Sequence, residues 1–212
     1  MIFRLNEDMV FPPAELAEPD GLLAVGGDLS IPRLQLAYKS GIFPWYSDDT
    51  PILWYAPHER FVLYPDELLV SKSMQKILKQ NVFTVSNDKA FAEVIDACSH
   101  VPRQGQDGTW ITDDMKAAYI NLHQQGVAHS VEVWLNDGLV GGAYGVEVGH
   151  IFCGESMFSK VSNASKVALI SLCQSKKYKL IDCQVHTEHL ESMGARMISR
   201  EEYMGLLTDS AG

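Results

Sequence analysis

Three strand-like runs in succession, followed by a helix and a further strand, constrain the fold of this chain more than any other feature. SVEVWL (130–135) alternates apolar and polar residues, Asn136-Asp137-Gly138 supplies a hairpin turn, and LVGGAYGVEV (139–148) and HIFCGE (150–155) complete a meander. Val167, Ala168, Leu169 and Leu172 recur at helical spacing, which predicts a helix over 163–176 capped by Ser162 or Asn163. The strand LIDCQV, a short helix over Glu188–Met193 and a strand over Ala195–Ser199 follow. In such an arrangement, polar residues at the end of a buried strand, beside a turn into a helix, are where ligands bind. Two stretches fit that description, FCGESMFSKVSNASK (152–166) and the end of LIDCQ (180–184).

The first 64 residues differ in character. FPP (11–13), EPDGLLAVGGDLS (18–30) and GIFPWY (41–46) are rich in turn residues, and Ser30 with Pro32 starts a short helix over 31–40. Gly26-Gly27 is not a phosphate loop, because no Gly-Lys-Ser/Thr follows. Of Trp45, Trp54 and Tyr55, two are expected in the core. A strand from Arg60 to Tyr64 leads to a helix over 71–81 with an apolar face (Met74, Ile77, Leu78) and a basic stripe of Lys72, Lys76 and Lys79. Strand 82–85, a helix from Asp88 to Cys98, the loop PRQGQDGTW and a helix from Asp113 to Gln124 come before the meander. A small N-terminal domain (1–64) and a larger mixed-sheet domain (65–212), together α+β, are expected.

With 212 residues the chain can bury a sizeable core. No apolar run approaches the roughly 20 residues of a membrane span, and MIFRLNEDMV lacks a signal-peptide pattern, so a cytoplasmic protein is expected. Cys98, Cys153, Cys173 and Cys183 have apolar neighbours and no CxxC pairing, which fits reduced, buried thiols. A formal charge of −10 argues against nucleic acid as a partner, although a local basic stripe is enough to bind it.

Asp182 and Gln184 carry the most specific chemistry. Residues two apart in a strand face the same side. A Gln amide is no base, but its carbonyl oxygen can accept a hydrogen bond from an attacking amine while its NH₂ donates to a carboxylate. An α-amine, with pKa of about 7.7–8.0, needs only orientation to attack an activated ester near neutral pH. Competing readings fail on spacing. Cys183, His186 and His189 lack a fourth zinc ligand, Cys183 points away from the Asp182 face, and Ser156 in GESMF is not a nucleophile elbow. Neither a metal nor a cofactor is expected.

The β-β-β-α-β-α-β order looks like the N-acetyltransferase superfamily fold, but ESMFSKVSNAS lacks the glycine-rich turn that cradles the coenzyme A diphosphate there. A coenzyme A acyltransferase is therefore a poor fit. GIFPWY, ILWYAP (52–57), TWI (109–111), AHSVEVW (128–134), LVGGAYGV (139–146), FCGESMFS (152–159), NASK (163–166), LIDCQ and EPDGLLAVGGDLS together resemble the bacterial leucyl/phenylalanyl-tRNA–protein transferases, over about residues 10–200. The resemblance implies transfer of Leu or Phe, and Met less well, from aminoacyl-tRNA to a protein's N-terminal Arg or Lys, which creates an N-degron. It implies a small N-terminal domain joined to an acetyltransferase-like domain that uses no coenzyme A.

By the same resemblance, Asp182 and Gln184 form the amine-activating pair and Glu155 meets the acceptor's positive charge. Trp45, Trp110, Phe152 and Leu169 line the site for the donor side chain and terminal adenosine. Two positions depart from the family pattern. Ala143 stands where a larger apolar residue is common, and Leu172 replaces an aromatic residue found in some relatives. Lys72, Lys76 and Lys79, with the five lysines between 160 and 179, offer a path for the tRNA acceptor stem. A monomer is expected. The rival reading is a non-catalytic adaptor that recognises basic N-termini through Glu155.

Overall fold

A computed structural model describes residues 2–101 and 110–210. Most of the PRQGQDGTW loop, including Thr109 of the TWI motif, lies outside the described residues. The elements are β1 (Phe3–Leu5), β2 (Leu22–Gly26), α1 (Ile31–Lys39), β3 (Phe43–Pro44), β4 (Leu53–Tyr55), β5 (Glu59–Leu63), α2 (Lys72–Lys79), β6 (Thr84–Asn87), α3 (Phe91–Ser99), α4 (Asp113–Gln124), β7 (Ala128–Leu135), β8 (Gly138–Val148), β9 (Ile151–Ser159), α5 (Ala164–Gln174), β10 (Leu180–Gln184), α6 (Glu188–Glu191), β11 (Arg196–Ser199) and α7 (Arg200–Ser210).

Two sheets form. The smaller has the order β1-β2-β4-β3, and the larger runs β11-β5-β10-β9-β8-β7-β6. The turn-rich N-terminal segment thus carries four short strands that its sequence pattern does not announce. β5 hydrogen-bonds into the large sheet, antiparallel to both β10 and β11. The meander β7-β8-β9 forms as expected, and β10 lies parallel to β9, reached through the crossover helix α5. A mixed α+β fold with a mixed large sheet results.

The large sheet is covered on both faces. One core runs from Leu23, Ala24 and Trp54 of the small sheet through Leu34 and Tyr38 of α1 to α3, α4 and one face of β8 and β9 (Tyr144, Val146, Cys153, Phe158). On the other face Val167, Ala168, Leu169 and Leu172 of α5 pack on Phe61, Leu63, Phe152 and Ile181, with Met74 of α2 at the edge. The LVGGAYG glycines are contact points rather than a ligand loop. A Cβ on Gly141 would stand 2.5 Å from that of Ala164, so this glycine lets α5 lie close on β8. Trp54 is fully buried and Tyr55 half-buried, whereas Trp45 is 37% exposed.

Capping follows the sequence at α2 and α4, where Ser71 accepts from Met74 N at 3.3 Å and Thr112 from Met115 N at 3.2 Å. At α5 it does not. Asn163 sits at φ 72° without a side-chain cap, and Ser159 Oγ accepts from Ser165 N instead. α7 was not expected. Its start carries a legible signal, Ser199 Oγ accepting from Glu202 N at 3.1 Å in a Ser-x-x-Glu sequence, but only Tyr203 and Leu207 are buried along it, too few for an apolar stripe.

Candidate active site

β9 and β10 pair over only three positions, Leu180–Ile151, Ile181–Phe152 and Asp182–Cys153. Beyond Asp182 the two strands diverge, since β9 is paired onward to β8 through a bulge at Gly145/Tyr144 and β10 is paired to β5 through a bulge between Asp182 and Gln184. Glu155 is the residue that the β9 bulge leaves without a Cα partner, and Gln184 takes φ 61° just past its own. The two side chains meet across the gap, Gln184 Nε2 donating to Glu155 Oε1 at 2.8 Å.

The bulge alters what spacing alone implies for Asp182 and Gln184. They do not form a side-chain pair. Asp182 Oδ1 accepts from the backbone N–H of Gln184 at 2.9 Å, while the Gln184 amide turns to Glu155. Asp182 is fully buried and engaged elsewhere: Arg60 Nη2 donates to its Oδ2 at 2.6 Å and the Tyr203 hydroxyl at 2.7 Å. Arg60 is itself buried, donates to the Gly41 carbonyl at 3.0 Å, and is sandwiched between the rings of Phe43 (4.8 Å) and Tyr203 (4.5 Å). The carboxylate that receives the glutamine NH₂ is therefore Glu155.

Glu155 is 8% exposed and saturated with donors. Besides Gln184, the Tyr38 hydroxyl lies 2.7 Å from Oε1 and the Tyr119 hydroxyl 3.2 Å from Oε2, and the two hydroxyls touch each other, so two phenolic protons are shared among three contacts. Burial pushes the Glu155 carboxyl up to about 7, against the pull of its three hydrogen bonds. Burial and the nearby carboxylate likewise hold both tyrosines well above the usual phenol range.

Beside this network a cavity of about 270 Å³ opens on the α5 side of the sheet. Ala143, Phe152, Leu169, Leu172 and Ile181 form its apolar wall, while Glu155, Ser156, Asp182, Thr187 and His189 border it. Cys183, expected to point away toward the core, also borders it; burial keeps its thiol well above the normal range, so it is a wall rather than a nucleophile. A shape of this size, apolar with polar groups gathered at one side, suits a small hydrophobic side chain attached to a polar group. A larger groove of about 960 Å³ beside α3, lined by Trp134 and Phe158 among others, contains none of the expected catalytic or donor-pocket residues, though Lys160 borders it.

Of the expected residues, Ala143, Phe152, Glu155, Leu169, Leu172 and Asp182 thus meet at one cavity, with Gln184 joined through Glu155. Trp45 and Trp110 do not border it. Trp45 packs at 5.7 Å on Tyr55, and Trp110 is half-buried at the start of α4, the helix that brings Tyr119 to Glu155. Lys72, Lys76 and Lys79 lie exposed on α2. Among the described residues no group of three His, Cys, Asp or Glu is placed to hold a metal ion, and no helix is long and apolar enough to cross a membrane. Residue spacing missed Tyr38, Tyr119, Arg60 and Tyr203. Arg60 alone carried a signal, a cation opening the otherwise apolar strand RFVLY; the tyrosines read as ordinary apolar helix positions.

Two family models match the chain, "Leucyl/phenylalanyl-tRNA protein transferase" over residues 62–208 and the N-terminal domain of the same family over residues 27–58. A leucyl/phenylalanyl-tRNA–protein transferase of Flavobacterium johnsoniae is 56% identical over 209 residues, 97% of this chain and 99% of that protein. One of Syntrophobacter fumaroxidans is 55% identical over 212 residues, 99% of this chain and 91% of that protein. Among solved structures, that of FemX shows a distant likeness, with a TM-score of 0.48 at 13% identity over 83% of this chain and 70% of that one. Identity above one half along nearly the whole length of both chains leaves one assignment: this chain belongs to the leucyl/phenylalanyl-tRNA–protein transferase family.

Proposed function

We propose that the protein transfers Leu or Phe, and Met less well, from aminoacyl-tRNA to the N-terminal Arg or Lys of an acceptor protein, creating an N-degron. The observation that carries this reading is the apolar cavity opening beside the Glu155–Gln184 hydrogen bond. The donor side chain fills the cavity, which sets its ester carbonyl at the polar border. Gln184 spends its NH₂ on Glu155, so its carbonyl oxygen is oriented to accept a hydrogen bond from the incoming α-amine. Glu155 then acts through Gln184, in place of the direct contact with the acceptor's charge that the family resemblance implies. Asp182 fixes the Gln184 backbone and neutralises Arg60.

The neutral amine attacks the ester carbonyl carbon, the C–N bond forms, and the bond from that carbon to the ribose 3′-oxygen breaks. The proton shed by the attacking nitrogen ends on the departing oxygen. No group here is a strong base, so positioning supplies the rate. Trp45 and Trp110, outside the cavity, offer aromatic faces for the terminal adenine. We take the protein to work as a monomer in the cytoplasm, where aminoacyl-tRNA is available.

The direct test mixes the protein with radiolabelled Phe-tRNA and peptides that begin with Arg or with Ala. Label on the Arg peptide alone is expected; binding of that peptide without transfer would move the adaptor reading ahead.

Three further results are expected. Ala143→Met extends a side chain from β8 into the cavity and lowers kcat/KM for Phe more than for Leu; an unchanged Phe:Leu ratio rejects a sizing role for this position. Reversing Lys72, Lys76 and Lys79 to Glu weakens tRNA binding and flattens its log–log salt dependence by about 2 to 3, at roughly 0.7–0.9 per lost phosphate contact. Unaltered affinity and slope would make α2 an ordinary solvated face.

The third concerns pH. Burial pushes the Glu155 carboxyl up to about 7, and only the ionised form accepts from Tyr38, Tyr119 and Gln184 together, since protonation turns one oxygen into a donor, so activity rises with pH through that value. Tyr38, Tyr119 and Gln184 donate to it and Asp182 lies nearby, so the rise belongs to the whole network. In Glu155→Gln the limb near 7 disappears and only the acceptor amine's own limb, near ~7.7–8.0, remains in the kcat/KM profile.

A further inference from the structure

We infer that His189 is a further donor-binding residue, its imidazole Nε2 hydrogen-bonding the polar ester end of the aminoacyl group seated in the cavity. The inference rests on the transferase reading above and concerns the donor side of the same site.

α6 begins where β10 leaves the sheet, and its backbone is fixed on both sides of His189. Thr187 Oγ1 accepts from Leu190 N at 3.2 Å, Ser192 Oγ donates to the His189 carbonyl at 2.6 Å, and Leu190 is buried. The imidazole is thereby carried to the border of the cavity between Thr187 and Leu190. Its Nε2 is shut off from solvent and has no hydrogen-bond partner in the protein. Buried polar atoms are nearly always paired, so an orphan bordering this cavity calls for a partner that the protein itself does not supply. Burial, and Lys166 nearby, hold the imidazole below its usual pKa, so it is neutral at working pH, with one N–H and one lone pair to offer.

The cavity wall next to it is hydrocarbon, from Phe152, Leu169, Leu172 and Ile181, and offers Nε2 nothing. A Leu or Phe side chain filling the space offers nothing either. The groups of the donor that can pair with Nε2 are those at its polar end, the α-amine, the ester carbonyl and the neighbouring ribose hydroxyl. A pocket built this way reads two properties together: an apolar side chain, and an acyl group placed so that one polar atom reaches His189. The acceptor peptide is not involved.

The probe is adenosine carrying phenylalanine through a 3′-amide, a non-transferring mimic of the donor end, titrated calorimetrically into the full-length protein. His189→Phe is expected to bind it about tenfold more weakly, the size of one lost hydrogen bond to a buried group. His189→Gln, which keeps a donor and an acceptor, should bind within about threefold of the wild type. In steady-state transfer the KM for Phe-tRNA should rise in His189→Phe while the KM for the Arg peptide stays unchanged. His189→Ala repeats the comparison if the phenylalanine variant does not fold. Equal binding by all variants, equal impairment of His189→Phe and His189→Gln, or parallel changes in both KM values would reduce His189 to a packing residue and overturn the inference. A wild-type protein that neither binds the mimic nor transfers label would instead remove the transferase reading beneath it.

Discussion

Gln184→Gly is expected to abolish most of the proposed transfer activity and to leave the melting temperature within about 3 °C of the wild type. The two effects separate because the residue is held in the left-handed region, at φ 61°, where a side chain costs roughly 1–2 kcal/mol that glycine does not incur. Relief of that strain offsets the loss of the Gln184–Glu155 hydrogen bond and the added freedom of the unfolded chain. Catalysis has no such compensation, since in the proposed mechanism the amide orients the amine, and a loss of about 10²-fold in kcat is expected. Gln184→Glu keeps the shape but sets two carboxylates against each other at 2.8 Å, and should be as inactive and less stable. A strand-end residue with an ordinary packing role behaves the other way, losing stability on conversion to glycine and keeping activity. Thermal melts and single-turnover transfer on the same preparations decide between the two.

The second large effect is on stability. Arg60→Met leaves Asp182 buried with Tyr203 as its one remaining side-chain donor among the described residues. Stripping one partner from a buried ion pair costs about 3–5 kcal/mol, and for a domain of this length each kcal/mol moves Tm by roughly 2–4 °C, so a fall of about 10 °C is expected. Asp182→Ala should cost a similar amount, because it strands a guanidinium between the rings of Phe43 and Tyr203. The double variant Arg60→Met/Asp182→Leu removes both charges and should regain most of the lost stability. It should remain poorly active, because the Gln184 backbone has lost the carboxylate that fixes it. If Asp182 were instead a proton carrier with little structural part, Asp182→Ala would fold with a normal Tm and fail only in transfer.

These two experiments concern neighbouring residues whose roles the sequence does not distinguish. LIDCQ presents Asp182 and Gln184 as an alternating pair on one face of a strand, and in an unbroken strand they would be. The bulge between them turns Gln184 across the gap to Glu155 and leaves Asp182 facing Arg60. Nothing local announces that bulge. It follows from β10 being paired to β5 on one side while parting from β9 on the other, and β5 lies about 120 residues away in the chain.

What the sequence determined by itself is local and periodic. The β7-β8-β9 meander, α5, β10 and the capped helices α2 and α4 follow from alternation, helical spacing and turn residues, each of which acts within a few neighbours. That Phe152, Leu169 and Leu172 are inward-facing apolar positions was legible for the same reason, while their place in the wall of a site was implied by the family resemblance and not by their spacing. Tertiary structure alone decided the chemistry. Tyr38, Tyr119, Glu155 and Gln184 come from four separate elements, and their hydrogen bonds form only once the small sheet, α1 and α4 share one core with the large sheet. A buried carboxylate recruits whatever donors packing brings within reach, because leaving it unpaired costs more than any local preference in the chain can repay.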